Sequence, residues 1–345
     1  IKYGDCYFHS GRKESITMAK EIGANIINVH HANIIAPFIN YPYHDENVES
    51  LKQFVSDAHD ENILVKVYYT ARELSVRIPE IWAFHSLQGE VIFPGPGPAA
   101  QRIYQSDLED DWLEKNLREK YIPAWASGLR GGKFDGLRDH SIITTPDSRL
   151  NNFYISGLDW MVRNIHIDGV YIDDTHLDRF TLRRARKVLD RNRPRGKIDL
   201  HAPNSFTRWG GFGFNNTLNE YMEILPYIDL IWIGEGRDYN RAPDHWLIEV
   251  SGIPFGIAGQ MLQDGGNQWR GMVYGITNRP PYKPSASNIW VFWDEHQIEK
   301  MEMTGYWQED CPVKCYNPMI KGTVYKGEDK SLIAIANWSR DEQPV

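Results

Sequence analysis

The segment Ile167-Asp168-Gly169-Val170-Tyr171-Ile172-Asp173-Asp174 constrains the fold more than any other part of this chain. A short, nearly continuous apolar run is what a strand needs when helices cover both faces of a parallel sheet. The run stops at two adjacent carboxylates. Such groups do not enter a dry interior unpaired, so they mark the place where the strand surfaces. In a barrel of parallel strands, that C-terminal end is the face where catalytic groups collect.

The rest of the sequence supplies the other parts of a barrel. Apolar runs of strand length fall at Tyr3 to Phe8, Asn25 to His30, Ile63 to Tyr69, Gly169 to Asp173, Lys197 to His201, Asp229 to Gly234, Ile253 to Ala258 and Asn288 to Trp293. Helical patterns separate them, at about 13–22 with Gly23 as its C-terminal cap, at about 47–60 and at about 149–164. Strands alternating with helices predict an α/β fold, a (β/α)8 TIM barrel over residues 1–308. An open doubly wound sheet is the alternative, disfavoured because no glycine-rich phosphate loop follows the first strand.

Roughly 95 residues separate the third and fourth strands, where a βαβ unit needs about 30. This insertion, about 70–147, contains the stiff Pro94-Gly95-Pro96-Gly97-Pro98 run and should form a lid or wall over the pocket. The pattern changes again near the C-terminus. Met319 to Tyr325 and Ser331 to Trp338 read as two antiparallel strands around a polar turn, so residues 309–345 are expected to begin a C-terminal β-domain.

A net charge of −8 argues against nucleic-acid or anionic-membrane partners, which need clustered Lys and Arg. Membrane insertion is not expected, since no run of about 18 apolar residues occurs. The three cysteines lack zinc-site spacing and allow at most one disulfide. The chain opens on a strand and ends at Gln343-Pro344-Val345, as expected of a piece of a larger polypeptide with further domains. A secreted or periplasmic location, with the export signal removed, is the corresponding expectation. The 12 Trp and 18 Tyr serve mostly as core, but on loops they also stack on sugar rings.

Reading the strand ends by position gathers polar groups on one rim. These are His9, His30, Tyr68, Asp173 with Asp174 and His176 beyond, His201 and Asn204, Glu235 and Arg237, Gln260, and Trp293 with Asp294. Carboxylate pairs of this kind do the chemistry of most glycosidases. In one arrangement Asp173 is the nucleophile and Glu235 the general acid/base, about 5–5.5 Å apart for retention or about 6.5–9.5 Å for inversion. In the other, one of Asp173 and Asp174 orients a substrate acetamido group whose carbonyl attacks, and its neighbour is the general acid. His30, Tyr68, His201, Asn204, Arg237, Gln260, Trp293 and Asp294 are the candidate sugar-binding residues. The bland reading makes Asp174 or Thr175 the N-cap of the next helix, paired with Arg179, Arg183 or Arg184. A metal-dependent hydrolase built on Asp173, Asp174, His176 and Asp178 is a further alternative, although no cofactor is required. A non-catalytic glycan-binding barrel is another.

The run Asp168-Gly169-Val170-Tyr171-Ile172-Asp173 resembles the strand-four signature of barrel glycosidases. The α-glucosidase and α-galactosidase superfamily has this form, which implies that Asp173 is the nucleophile and places the acid/base on strand six, near Glu235. The chain is also similar to the glycoside hydrolase family 123 type of barrel, which acts on N-acetylgalactosaminides. That resemblance implies a substrate-assisted mechanism with an Asp-Glu pair on strand four. This chain carries Asp173-Asp174 there, a departure that leaves the general acid open.

Overall fold

The computed structural model describes residues 6–10, 12–30, 35–43, 47–97, 112–129, 132–173, 177–201, 222–232, 240–250, 258–260, 267–276 and 287–343. Seven parallel strands form its main sheet: β1 (Tyr7–His9), β2 (Ile26–Val29), β3 (Leu64–Tyr68), β7 (Gly169–Asp173), β8 (Lys197–His201), β9 (Leu230–Trp232) and β10 (Ala258–Gln260). They neighbour one another in that order, as TIM-barrel strands do. Helices α1 (Ser15–Glu21), α2 (Val48–Asp60), α5 (Leu150–Asn164) and α6 (Arg179–Asn192) make the crossovers. Helix α1 runs out just before Gly23, whose φ of +78° closes it as the sequence predicts.

Register sorts the side chains of this sheet into two sets. Tyr68 lies opposite Tyr171, Tyr171 opposite Asp199, Asp173 opposite His201, and His201 opposite Trp232. Residues in register point to the same face, as do residues two apart. Tyr68, Tyr171, Asp173, Asp199, His201 and Trp232 therefore share the inner face. Val65, Val67, Val170, Ile172, Ile198, Leu200 and Ile231 face outward into the large apolar core with the helices. Deep on the inner face, Lys66 and Asp199 form a fully buried ion pair. Lys66 Nζ sits 4.2 Å from the centre of the Tyr7 ring. Trp232 Nε1 donates to Asp199 Oδ2 at 3.1 Å.

The Asp-Gly pair that precedes β7 is structural. Asp168 Oδ2 accepts from Val65 N at 2.8 Å and lies 2.7 Å from His59 Nε2, while Arg193 Nε reaches Oδ1 at 3.1 Å. Burial pushes this carboxyl up, but those partners outweigh it and hold it below its ordinary value. Gly169 is required by the approach of β8: a Cβ there would lie 2.0 Å from the Lys197 carbonyl oxygen, and its φ is +153°.

The insertion folds as a wall with its own core. Strands β4 (Glu73–Ser75), β5 (Pro123–Gly128) and β6 (Arg138–Ile143) form an antiparallel sheet in the order β4-β6-β5. Helices α3 (Ile81–Ser86) and α4 (Trp112–Leu117) accompany them. Leu74, Ile81, Leu113, Tyr121 and Ile142 pack together there. Buried Asp139 accepts from Ile39 N at 3.0 Å and Ser75 Oγ at 2.7 Å, tying the segment after β2 to the wall. Burial pushes its carboxyl up to about 6.

Two expectations need correction. The apolar run at Asn288 to Trp293 is not a strand but part of helix α7 (Ser287–His296). Ile289, Trp290 and Trp293 are buried, whereas Val291 is exposed, which is helical spacing. A short apolar run carries too little periodicity to tell a buried helix from a buried strand. The seventh strand lies later than Ile253 to Ala258, at Ala258–Gln260, with 251–257 outside the described residues.

The C-terminal antiparallel sheet contains β11 (Glu302–Thr304), β12 (Ile320–Lys326) and β13 (Ser331–Asn337). It docks through Thr323 Oγ1, which donates to the Val273 carbonyl at 2.7 Å. All three cysteines are free, so the one permitted disulfide is not formed.

Gly169→Ala should destabilise the protein by about 3 kcal/mol, near the top of the usual point-mutant range, because clash and backbone strain act together. Urea unfolding monitored by tryptophan fluorescence measures this; a loss within about 0.5 kcal/mol would mean that β8 yields.

Candidate active site

Asp173 is the last residue of β7, and its side chain remains a quarter exposed at the mouth of the sheet. His201 Nδ1, at the end of β8, lies 2.8 Å from Asp173 Oδ1. The Tyr68 hydroxyl, at the end of β3, lies 3.1 Å from Oδ2. The three converge because β3, β7 and β8 are adjacent and all three residues are on the inner face. Burial pushes the Asp173 carboxyl up. The hydrogen bond and charge of His201, with Arg72 and His30 behind them, outweigh burial and hold it well below the usual carboxylate range. Asp173 is therefore an anion across the physiological range, and an anion offers no proton, so His201 Nδ1 is the donor.

Around this carboxylate the inner face is aromatic. The His30 ring is 4.9 Å from both Tyr68 and His9. Tyr171 is 5.1 Å from Trp232 and 5.9 Å from His201. Burial, then the Asp173 and Glu73 carboxylates, push the Tyr68 phenol well up, so it stays protonated and acts as a donor. Such a mouth combines flat apolar walls with a fixed negative charge, the kind of surface on which a ring can stack and developing positive charge can be offset.

The structure thus brings together Asp173, Tyr68, His201 and His30. Gln260 ends β10, next to β9 in the sheet. Asp174, His176, Asn204, Glu235 and Arg237 lie outside the described residues. Trp293 and Asp294 sit on α7 and not at a strand end. Trp293 belongs to the apolar core, its Nε1 donating to Met272 Sδ at 2.8 Å. Asp178 leaves the candidate metal set. It is the N-cap of α6, accepting from Thr181 N at 2.8 Å, the role the sequence assigned to Asp174 or Thr175. Among the described residues, no group of three or more His, Cys, Asp or Glu side chains is placed to hold a metal ion.

The sequence reading missed Glu73, Arg72 and Trp125. Glu73 Oε1 accepts from the Tyr68 hydroxyl at 2.9 Å and from Trp125 Nε1 at 3.1 Å, while Arg72 Nε pairs with Oε2. The available signal was an adjacent Arg-Glu pair four and five residues past the tip of β3.

A family model described as Glycoside hydrolase 123, TIM-barrel domain, matches residues 1–281, and one described as Glycoside hydrolase 123, C-terminal domain, matches 285–345. No curated protein matches the chain. Among solved structures, an α-amylase from Geobacillus thermoleovorans, complexed with acarbose, is similar at TM-score 0.52 and 12% identity, covering 95% of this chain and 85% of that one. An Anoxybacillus α-amylase gives 0.53 and 10%, covering 93% and 77%. An α-amylase from Lactobacillus plantarum gives 0.52 and 10%, covering 95% and 87%. At these identities the likeness is one of fold.

Replacing His201 by Phe leaves burial unopposed by its strongest counterweight, so the Asp173 carboxyl should titrate at higher pH than in the parent. Carboxyl carbon NMR shifts would record the change; an unmoved titration would deny His201 this role. With its folded pKa below the unfolded value of about 3.9, the parent carboxyl's contribution to stability is present at neutral pH and lost as pH falls.

Proposed function

This chain belongs to glycoside hydrolase family 123, and from that premise we propose that Asp173 is its central catalytic carboxylate, an anion that orients the 2-acetamido group of an N-acetylhexosaminide. The chain is a glycosidase acting on a carbohydrate substrate. The observation that carries the proposal is the pairing of Asp173 with His201 at the end of β7, beside the Tyr68 hydroxyl; that pairing keeps it ionised.

A general acid needs a pKa raised toward the working pH. Asp173 has the opposite perturbation, so the proton for the leaving oxygen comes from a different group. Asp174 and Glu235 are the two candidates. Asp173 Oδ1 already faces a donor, His201 Nδ1, while Oδ2 lies 3.1 Å from the Tyr68 oxygen. The His201 bond stabilises the charge and blunts attack on carbon, which favours orienting over nucleophilic duty.

The reaction then runs in two steps. The acetamido carbonyl oxygen attacks C1 while its N–H hydrogen-bonds to Asp173, and the C1–O bond breaks as the general acid protonates the leaving oxygen. Water, deprotonated by the same group, then attacks C1 of the oxazolinium and reopens it. His30, Tyr68, His201, Asn204, Arg237 and Gln260 serve as contacts to the ring and hydroxyls. Asn204, Arg237 and the general acid rest on strand position alone.

Asp173→Asn should lower kcat on a nitrophenyl N-acetylgalactosaminide by about 10³-fold while the protein stays folded. A thiazoline analogue of N-acetylgalactosamine should inhibit the parent competitively. Parent-like turnover by the variant would remove Asp173 from the mechanism. A covalent glycosyl adduct on Asp173 from a 2-fluoro sugar would make it a nucleophile instead.

A further inference from the structure

We propose that Glu73, buried in the insertion wall, is a positioning residue that acts through Tyr68 on Asp173, making the wall a working part of the active site. The inference rests on the reading of Asp173 as the catalytic anion.

The geometry is a competition for one proton. The Tyr68 oxygen lies 2.9 Å from Glu73 Oε1 and 3.1 Å from Asp173 Oδ2. A phenol has a single O–H, so it can donate to only one carboxylate at a time. Glu73 is held where it can win. It is fully buried, its Oε2 pairs with Arg72, and its Oε1 also accepts from Trp125 Nε1 at 3.1 Å. Asn40 fixes the turn that carries it, with Nδ2 donating to the Glu73 carbonyl at 2.7 Å and Oδ1 accepting from Thr70 N at 2.8 Å.

While Glu73 holds the Tyr68 proton, Asp173 Oδ2 faces the lone pairs of an oxygen. A substrate N–H arriving at Oδ2 relieves that contact. Glu73 thus anchors the phenol ring and keeps Oδ2 ready to accept the acetamido N–H. Without Glu73, the Tyr68 proton turns to Asp173 and caps the oxygen the substrate needs.

Glu73 touches no reacting atom, so its test must separate this role from building the wall. Glu73→Gln and Glu73→Asp are made in the parent and in Tyr68→Phe. Glu73→Asp keeps the charge beside Arg72 but withdraws the oxygen from Tyr68 by one methylene. In the parent, both should lower kcat by about 10- to 100-fold, the usual effect of losing an outer-shell partner, with KM within about threefold. In Tyr68→Phe, Glu73→Asp should cost no more than about twofold further, since the hydroxyl is gone while the charge that pairs with Arg72 is kept.

Equal losses from Glu73→Asp in both backgrounds, or parent-like kcat in both Glu73 variants, overturn the proposal. If Glu73→Gln fails to fold, Glu73→Asp carries the same comparison. Asp173→Asn, measured alongside, keeps the failures apart. An active Asp173→Asn sinks the catalytic reading itself, whereas an inactive one with additive Glu73 effects sinks only this inference.

Discussion

The close approach of β7 to β8 at Gly169 is the constraint on which the site depends. No side chain fits between that Cα and the Lys197 carbonyl, so the two strands meet at a fixed register. Asp168 pins the same end of β7 to β3 through Val65 N. With both neighbours locked at the N-terminal end, the period of two along each strand carries the alignment upward. It places Tyr171 beside Tyr68 and Asp199, and then Asp173 beside His201. A slip of one residue would turn Asp173 outward into the apolar layer of Val170 and Ile172.

That register also stacks charge inside the sheet. The lower layer is the Lys66–Asp199 pair, closed off by Tyr7 and Trp232 and fully buried. The upper layer is Asp173 with His201, still open to solvent. A buried pair of this kind contributes little net stability relative to apolar residues of the same size, but breaking it is expensive. Lys66–Asp199 therefore serves better as a lock on strand alignment than as a source of stability. The pair above it differs in one respect: its carboxylate keeps an open side from which a ligand can approach.

The sequence revealed those parts of this arrangement that follow from local pattern. Strands β7 and β8 have the expected ends at Gly169–Asp173 and Lys197–His201, because their apolar runs are bounded by charged or polar residues. Tyr68 and His201 were found by their place at strand tips. The run around Trp290 misled, since five consecutive apolar residues fit a buried helix as well as a strand. Asp168 drew notice through its signature, yet its work is at the opposite end of the strand from Asp173. Glu73 was invisible because its meaning is entirely tertiary. An Arg-Glu pair in a loop reads as solvated surface until the wall folds and buries it.

The wall also explains how a carboxylate as enclosed as Asp173 can remain charged. Desolvation alone would drive it toward the neutral acid. His201 supplies one counterweight from within the barrel, and Arg72, placed by the insertion, supplies another from the side. Arg72 is itself oriented by Glu73, and Glu73 by Trp125 of β5. The charge of the central carboxylate is thus set jointly by two substructures with separate apolar cores. Loosening the wall would therefore act on the Asp173 carboxylate before it acted on barrel stability, since the strands and their crossovers bury their own core without it.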